Sequence, residues 1–343
     1  MRSRVIGGEF ELATLPDDEL KQTSFYSYAS GRTALYQILM SIRLTPFTVW
    51  LPEWLCGSMI DAVRRAGLFY RFYQLGPDLK MDVRSFVDQY KPIDENDVII
   101  LVNYFGLVDI ERTIEQLRSL KVESVIIEDD VQALFSFLDK KPHAANYRFT
   151  SLRKTIACPD GGLVKTNRQM PIVKGFNTFA AYKLKGAMLK RDAEDGSQDD
   201  AYLALFETGE ELIENNYDSA MSYESASILV RTDLENVAIK RRKNALYLVN
   251  GLRSLGIEPI LPIKENQVPL FVPILIDNRD KVRAELRRSG IFCPVHWPLR
   301  EDMSQLSLCN TMAARELSLV IDQRYNLEDM QCIIQVLKDA IWT

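Results

Sequence analysis

Histidine is scarce. His143 and His296 are the only two in 343 residues, which excludes a catalytic metal site built on three or more imidazoles. Cysteine is sparse and shows no pairing. Cys56, Cys158, Cys293, Cys309 and Cys332 are odd in number and no two are spaced as CxxC, so reduced thiols in a cytoplasmic protein are expected rather than a disulfide framework or a zinc site. No run approaches the roughly 18 apolar residues of a membrane span, and the opening MRSRVIGGEFEL lacks the apolar stretch of a secretory signal. A basic excess is missing too. Lys plus Arg number 42 against 47 Asp plus Glu, a net charge of −5, so nothing is spare to neutralise a phosphate backbone and no nucleic-acid partner is expected. The chain has no internal repeat and no low-complexity tract.

What remains is an ordinary globular composition, 47% hydrophobic and 26% charged, long enough for about two domains. We place the boundary after residue 240, with a large unit over 1–240 and a small one over 241–343. Helical spacing is read over Arg32–Arg43, Gly57–Ala66, Asp82–Gln89 and Ile110–Leu120. Strands are read at Val49–Leu51, Phe69–Leu75, Val98–Val102 and Ser124–Ile127; the aromatic run Phe69–Tyr73 reads as buried. This alternation predicts an α/β fold with a mainly parallel sheet flanked by helices, and a ligand at the carboxyl ends of the strands, near Asn103 and Glu128-Asp129-Asp130. The segment Thr150–Asp160 reads as irregular, Lys174–Phe206 as mixed with solvated acids at 192–195, and Ser222–Ser254 as one long helical region. The last hundred residues read as a compact α+β unit: strand Leu270–Ile276, helix Lys281–Ser289, strand Phe292–Val295, helix Leu327–Ile341.

Three local features stand out, each with a plainer reading beside it. Ser30-Gly31-Arg32-Thr33 opens a helix whose first N–H groups suit a phosphate, or is merely an N-capped helix. Asp129 follows an apolar strand and is placed for a ligand, or sits in a surface turn. Lys154 lies in the irregular segment before Asp160-Gly161-Gly162; a desolvated lysine can form a Schiff base, although most lysines are solvated. Together a phosphate cradle, a carboxylate and a lysine are what pyridoxal 5′-phosphate requires. His296, in Cys293-Pro294-Val295-His296-Trp297-Pro298, is either a packed histidine or one lining the cleft. Lys240-Arg241-Arg242-Lys243, and likewise Lys183, Lys185, Lys190 and Arg191, read as solvated faces or as contacts to nucleotide phosphates.

Ser30-Gly31-Arg32-Thr33-Ala34-Leu35, Glu128-Asp129-Asp130-Val131-Gln132 and Ser151-Leu152-Arg153-Lys154 with downstream Gly161-Gly162 resemble, in order and spacing, the motifs of the DegT/DnrJ/EryC1/StrS sugar aminotransferases. Met221-Ser222, Arg242-x-Asn244 and Ile321–Tyr325 extend the likeness over nearly the whole chain. It is nearest a branch that carries Ser-Gly-Arg and Asn-Tyr-Phe-Gly, as at Asn103–Gly106. The resemblance implies the fold of fold-type-I pyridoxal-phosphate transferases and a cytoplasmic homodimer in sugar or polysaccharide biosynthesis. It implies an amino group moved from an amino acid, glutamate in the family, to a nucleotide-linked keto sugar. Lys154 would be the Schiff-base lysine and proton shuttle. Asp129 would pair with the pyridine nitrogen and Gln132 approach the ring hydroxyl. Gly31, Arg32 and Ser151 would hold the phosphate. Trp54, or alternatively Cys56, would face the ring, and Asn216 would reach the site across the dimer; no metal is implied.

Arg32, the short step from Ser151 to Lys154, and Asp218 near a family arginine depart from the pattern. Two other readings stand beside the aminotransferase: a pyridoxal-phosphate-binding regulator or scaffold with a decayed substrate site, and a sugar-modifying enzyme of another reaction type. Relatives that dehydrate sugars carry histidine where Lys154 stands.

Overall fold

The computed structural model describes residues 5–12, 25–42, 47–192, 198–303 and 306–342. The opening four residues and the acids at 194 and 195 discussed above lie outside them. From the N-terminus, β1 (Ile6–Gly7) and β2 (Tyr26–Tyr28) precede α1 (Gly31–Ile42). Strand and helix then alternate: β3 (Thr48–Pro52), α2 (Gly57–Arg65), β4 (Phe69–Tyr73), α3 (Val83–Tyr90), β5 (Val98–Val102), α4 (Ile110–Ser119), β6 (Val125–Asp129), α5 (Leu134–Leu138), β7 (Tyr147–Ser151) and β8 (Gly162–Lys165). Asp82 and Asp109 start α3 and α4 by accepting from the N–H groups of Ser85 at 3.0 Å and Arg112 at 3.3 Å.

Seven strands make one sheet in the order β2-β8-β7-β6-β5-β3-β4. β7, β6, β5, β3 and β4 run parallel, while β8 is antiparallel to both of its neighbours. The unbroken apolar run of β5 is buried at every position, as a central strand covered on both faces requires. β4 departs from the sequence reading. It is an edge strand, Phe69 is 78% exposed, and only Tyr73 of its five residues is fully buried.

The second half supplies α6 (Phe179–Asp192), α7 (Asp199–Glu214), α8 (Tyr223–Arg231), α9 (Leu234–Ser254), β9 (Val272–Leu275), α10 (Arg279–Arg288), β10 (Ile291–Phe292), α11 (Ser307–Arg315), β11 (Glu316–Leu319) and α12 (Leu327–Trp342). The region read as one long helix is two. Asp233 caps α9 by accepting from Asn236 N–H at 3.0 Å, which ends α8 two residues before it. A second core forms where Leu248 and Leu252 of α9 meet Val272, Leu286, Ile333 and Leu337. Ile6 belongs to that core, because β1 pairs in parallel with β10 and the Gly7 N–H donates to the Tyr325 hydroxyl at 2.7 Å. Gly7 has φ of 96°, and a Cβ there would sit 2.2 Å from the Phe292 carbonyl oxygen, so only glycine fits this crossing. Among the described residues no helix is long and apolar enough to cross a membrane.

Candidate active site

The parallel strands bring their carboxyl ends to one edge of the sheet, and β6 carries acids there. Side chains alternate across a strand. Asp129 therefore faces one way, into a cavity of about 180 Å³, while Glu128 and Asp130 face the other. On that far face Arg148 bridges them, with Nε 2.9 Å from Glu128 Oε2 and Nη2 2.6 Å from Asp130 Oδ2. Asn103 donates to Asp130 Oδ1 at 3.1 Å. Of the group expected at the strand ends, then, only Asp129 meets the cavity; Glu128, Asp130 and Asn103 are held in a buried ionic network. Burial pushes the Asp129 carboxyl up to about 7, and the Glu128 charge adds to this while the Val131 N–H, at 2.8 Å, opposes it. Burial also raises Glu128 and Asp130 against the pull of Arg148.

The start of α1 forms the second wall. Ser30 Oγ accepts from the Thr33 N–H at 3.1 Å, and Gly31 and Arg32, whose N–H groups a helix start leaves without an intrahelical partner, line the cavity. A Cβ on Gly31 would lie 3.1 Å from Val131 Cγ2, so the glycine keeps this approach open. Arg32 donates from Nη1 to the Glu214 carbonyl at 2.9 Å, and its buried Nε has no partner among the described residues. An open helix start with an orphaned guanidinium donor fits a phosphate.

Lys154 ends a single turn, Leu152–Lys154, that follows β7 directly. This turn is anchored from behind. The Leu152 N–H donates to the Gly161 carbonyl at 3.0 Å, and the Gly161 N–H to that of Ala29 at 2.7 Å. Asp160 accepts from the Ser222 N–H at 2.8 Å and hydroxyl at 2.6 Å. The Lys154 side chain is exposed rather than desolvated, forms no ion pair with a described residue and lines two cavities at once, the one at Asp129 and a larger one of about 690 Å³. Its neighbour Arg153 pairs with Glu210 at 2.7 Å. Although burial pushes Glu210 up, Arg153 and Lys183 hold its carboxyl down at about 2.

Gly31, Arg32, Asp129, Gln132, Ser151 and Lys154 thus line one cavity. Gln132 is fixed there by accepting from the Phe105 N–H at 2.9 Å through Oε1, which leaves its Nε2 to donate. Trp54 is the correction. It is 1% exposed and outside the lining, stacked on Tyr104 at 5.1 Å with its indole N–H unpartnered, whereas Cys56 lines the cavity. Pro52 closes β3, and the turn that follows swings the indole back into the core. Asn216 lies elsewhere, in a separate surface hollow with Tyr36 and Arg65; its amide donates to Ser219 Oγ at 2.9 Å and its buried Oδ1 has no partner among the described residues.

Sequence reasoning missed Glu210, which nothing local distinguishes from the other acids of α7, and Trp297, which lines the cavity beside His296. His296 takes the second of its two readings. It lines the cavity, with Nδ1 3.0 Å from Ser318 Oγ. Arg241 is no solvated residue: it is 1% exposed and donates to Gln323 Oε1 and the carbonyls of Leu270 and Thr155. Lys183 is buried as well, between Glu210 and Glu9. Glu111, Glu128 and His143 lie within 4.8 Å of one another, but the Arg148 guanidinium already neutralises Glu128 and competes with any cation.

No family model matches the chain, and a search of the curated proteins returns no match. Solved structures do resemble it. A DegT DnrJ EryC1 StrS aminotransferase from Brucella abortus superposes with a TM-score of 0.66 at 18% identity, over 94% of this chain and 87% of that one. NtdA from Bacillus subtilis with bound cofactor PMP gives 0.66 at 17%, over 94% and 74%. Helicobacter pylori PseC, an aminotransferase involved in the biosynthesis of pseudoaminic acid, gives 0.66 at 16%, over 93% and 87%. At such identities the likeness establishes the fold alone, a mainly parallel sheet flanked by helices shared with these structures; chemistry must come from the residues.

Proposed function

We propose that this protein is a pyridoxal-phosphate-dependent aminotransferase that moves an amino group from an amino acid, with glutamate as donor, to a keto sugar carried on a nucleotide. One observation carries the reading: residues from three separate stretches of chain, Gly31-Arg32, Asp129–Gln132 and Ser151–Lys154, line a single cavity. The cofactor would supply an aldehyde to hold amino groups and an electron-withdrawing ring. The Gly31 and Arg32 N–H groups, the Arg32 side chain and the Ser151 hydroxyl would hold its phosphate. Asp129 is buried without a cationic partner among the described residues, and a protonated ring nitrogen is the group that would let it ionise there. Gln132 Nε2 would orient the ring hydroxyl. Lys154, on a turn anchored by the bond between the Leu152 N–H and the Gly161 carbonyl, would take a proton from one substrate carbon and return it to another. Trp297, His296 and Cys56 would shield the ring in place of Trp54.

The same reading makes the protein a cytoplasmic homodimer, in which the unpartnered Asn216 Oδ1 would meet a second copy. A large unit over 1–240 would carry the cofactor and a small unit over 241–343 would cover it. Borohydride reduction of the cofactor-loaded protein, followed by peptide mass spectrometry, is expected to find the pyridoxyl group on Lys154. Adding glutamate should shift the visible absorbance toward the pyridoxamine form. An adduct elsewhere refutes the role of Lys154, and a stable adduct without a glutamate response favours the scaffold reading.

A further inference from the structure

The larger cavity is walled by Gly7–Phe10 on one side and α10 on the other, with Lys154 at its junction with the Asp129 cavity. Cationic side chains crowd it, and most are already matched. Arg153 is paired with Glu210, and Arg324 with Asp322 at 2.8 Å and Glu11 at 3.1 Å. Arg288 is paired with Glu285, and Arg241 spends its donors on Gln323, Leu270 and Thr155. The acid of α10 that lines the cavity, Asp280, is taken by Arg279 at 2.7 Å. Lys154, Arg283 and Arg287 remain, none with a carboxylate within 4.0 Å among the described residues.

Arg283 and Arg287 are four residues apart and share one helix face. Each is held but not neutralised. Arg283 Nε donates to the Cys293 carbonyl at 3.1 Å, its terminal nitrogens have no hydrogen-bond partner among the described residues, and Arg287 lies over the Phe292 ring at 6.0 Å. Two guanidinium forks presented side by side suit a phosphate or carboxylate. Unmatched positive charge gathered in one hollow of a chain whose net charge is −5 attracts an anion into that hollow. At about 690 Å³ it has room for an extended molecule, whereas the Asp129 cavity, at about 180 Å³, has room for a compact one.

We infer that this outer cavity binds an anionic group on the amino acceptor, with Arg283 and Arg287 as its contacts and the acceptor's carbonyl carbon directed toward Lys154. The inference rests on the aminotransferase reading above. A phosphate ester and a sugar carboxylate share the required chemistry.

The test is calorimetric titration of the cofactor-loaded protein with uridine diphosphate and, separately, glucuronate, set beside the glutamate-driven absorbance change. At least one probe should bind the unmodified protein. Arg283→Gln/Arg287→Gln should weaken it tenfold or more, Arg288→Gln should not, and the glutamate response should persist in all three proteins. The probe that binds names the source of the anion. No binding by either probe, or equal binding to the double variant, overturns the inference while leaving the glutamate response to support the aminotransferase. Slowing of the glutamate response in the double variant assigns the arginines to the donor and overturns the acceptor assignment. Absence of that response in the unmodified protein overturns the aminotransferase reading itself, and the acceptor assignment with it.

Discussion

The two cavities that meet at Lys154 are built in opposite ways. The inner one takes most of its polar groups from the ends of β6 and β7 and the start of α1, where hydrogen bonds to main-chain N–H groups hold Ser30, Asp129 and Gln132 and a main-chain bond anchors the turn that carries Lys154. The outer one takes its walls from the start of the chain, α10 and the residues after β11, which are hundreds of positions apart. On the aminotransferase reading proposed above, chemistry that depends on rigid placement would sit where the backbone is most constrained, and recognition of the rest of the substrate where distant segments merely face one another.

The sharpest way to break this contrast is at the lysine common to both cavities. Lys154→Ala should lower transamination by about 10⁴-fold or more, since nucleophile and proton carrier go together; single-turnover kinetics would measure it, and activity within tenfold of the unmodified protein would sink the assignment. Asp129 comes next. Asp129→Asn should cost about 10²–10⁴-fold in the donor half-reaction. Without cofactor its effect on stability has the other sign. Its folded pKa of about 7 lies above the ordinary 3.8, so the Asp129 contribution is full below about pH 4 and lost as pH rises through about 7. Asp129→Asn should therefore stabilise the cofactor-free protein at pH 8 by about 2–4 kcal/mol and make little difference at pH 4. Urea melts at the two pH values check this, and an equal effect at both would mean that the carboxylate is not strained by burial.

A smaller effect is expected in the outer cavity. Arg283→Gln should raise the acceptor KM about tenfold with kcat nearly unchanged, which corresponds to about 1.4 kcal/mol of binding lost equally from ground and transition states. A fall in kcat instead would move that arginine into the chemistry. The smallest effect belongs to Trp54. Trp54→Phe should leave the cofactor's absorbance where it is and cost about 1–3 kcal/mol of stability by loosening the packing on Tyr104. A displaced absorbance band would put the indole back on the ring.

The same contrast accounts for what could be read from the sequence. The strand Val98–Val102 and the placing of Asp129 and Lys154 on one cavity were legible because burial on both faces, a strand end and a glycine pair are local signals. The direction of Trp54 was not, because Pro52 and the turn after it decide which way the indole leaves the strand. β4 looked buried from its aromatics, and only the strand order reveals it as an edge. Glu128, Asp129 and Asp130 looked alike as three adjacent acids, and only the position of Arg148 separates the network from the site. The outer cavity left no trace, because no local pattern links Gly7 to Arg283 or Val320.

The clasp between Gly7 and the Tyr325 hydroxyl also splices the two halves of the chain. Because β1 is a strand of the second core and not of the seven-stranded sheet, one wall of the outer cavity, Gly7–Phe10, is rooted in the same apolar cluster as the opposite wall, α10. Loosening that cluster would therefore slacken both sides of the hollow together.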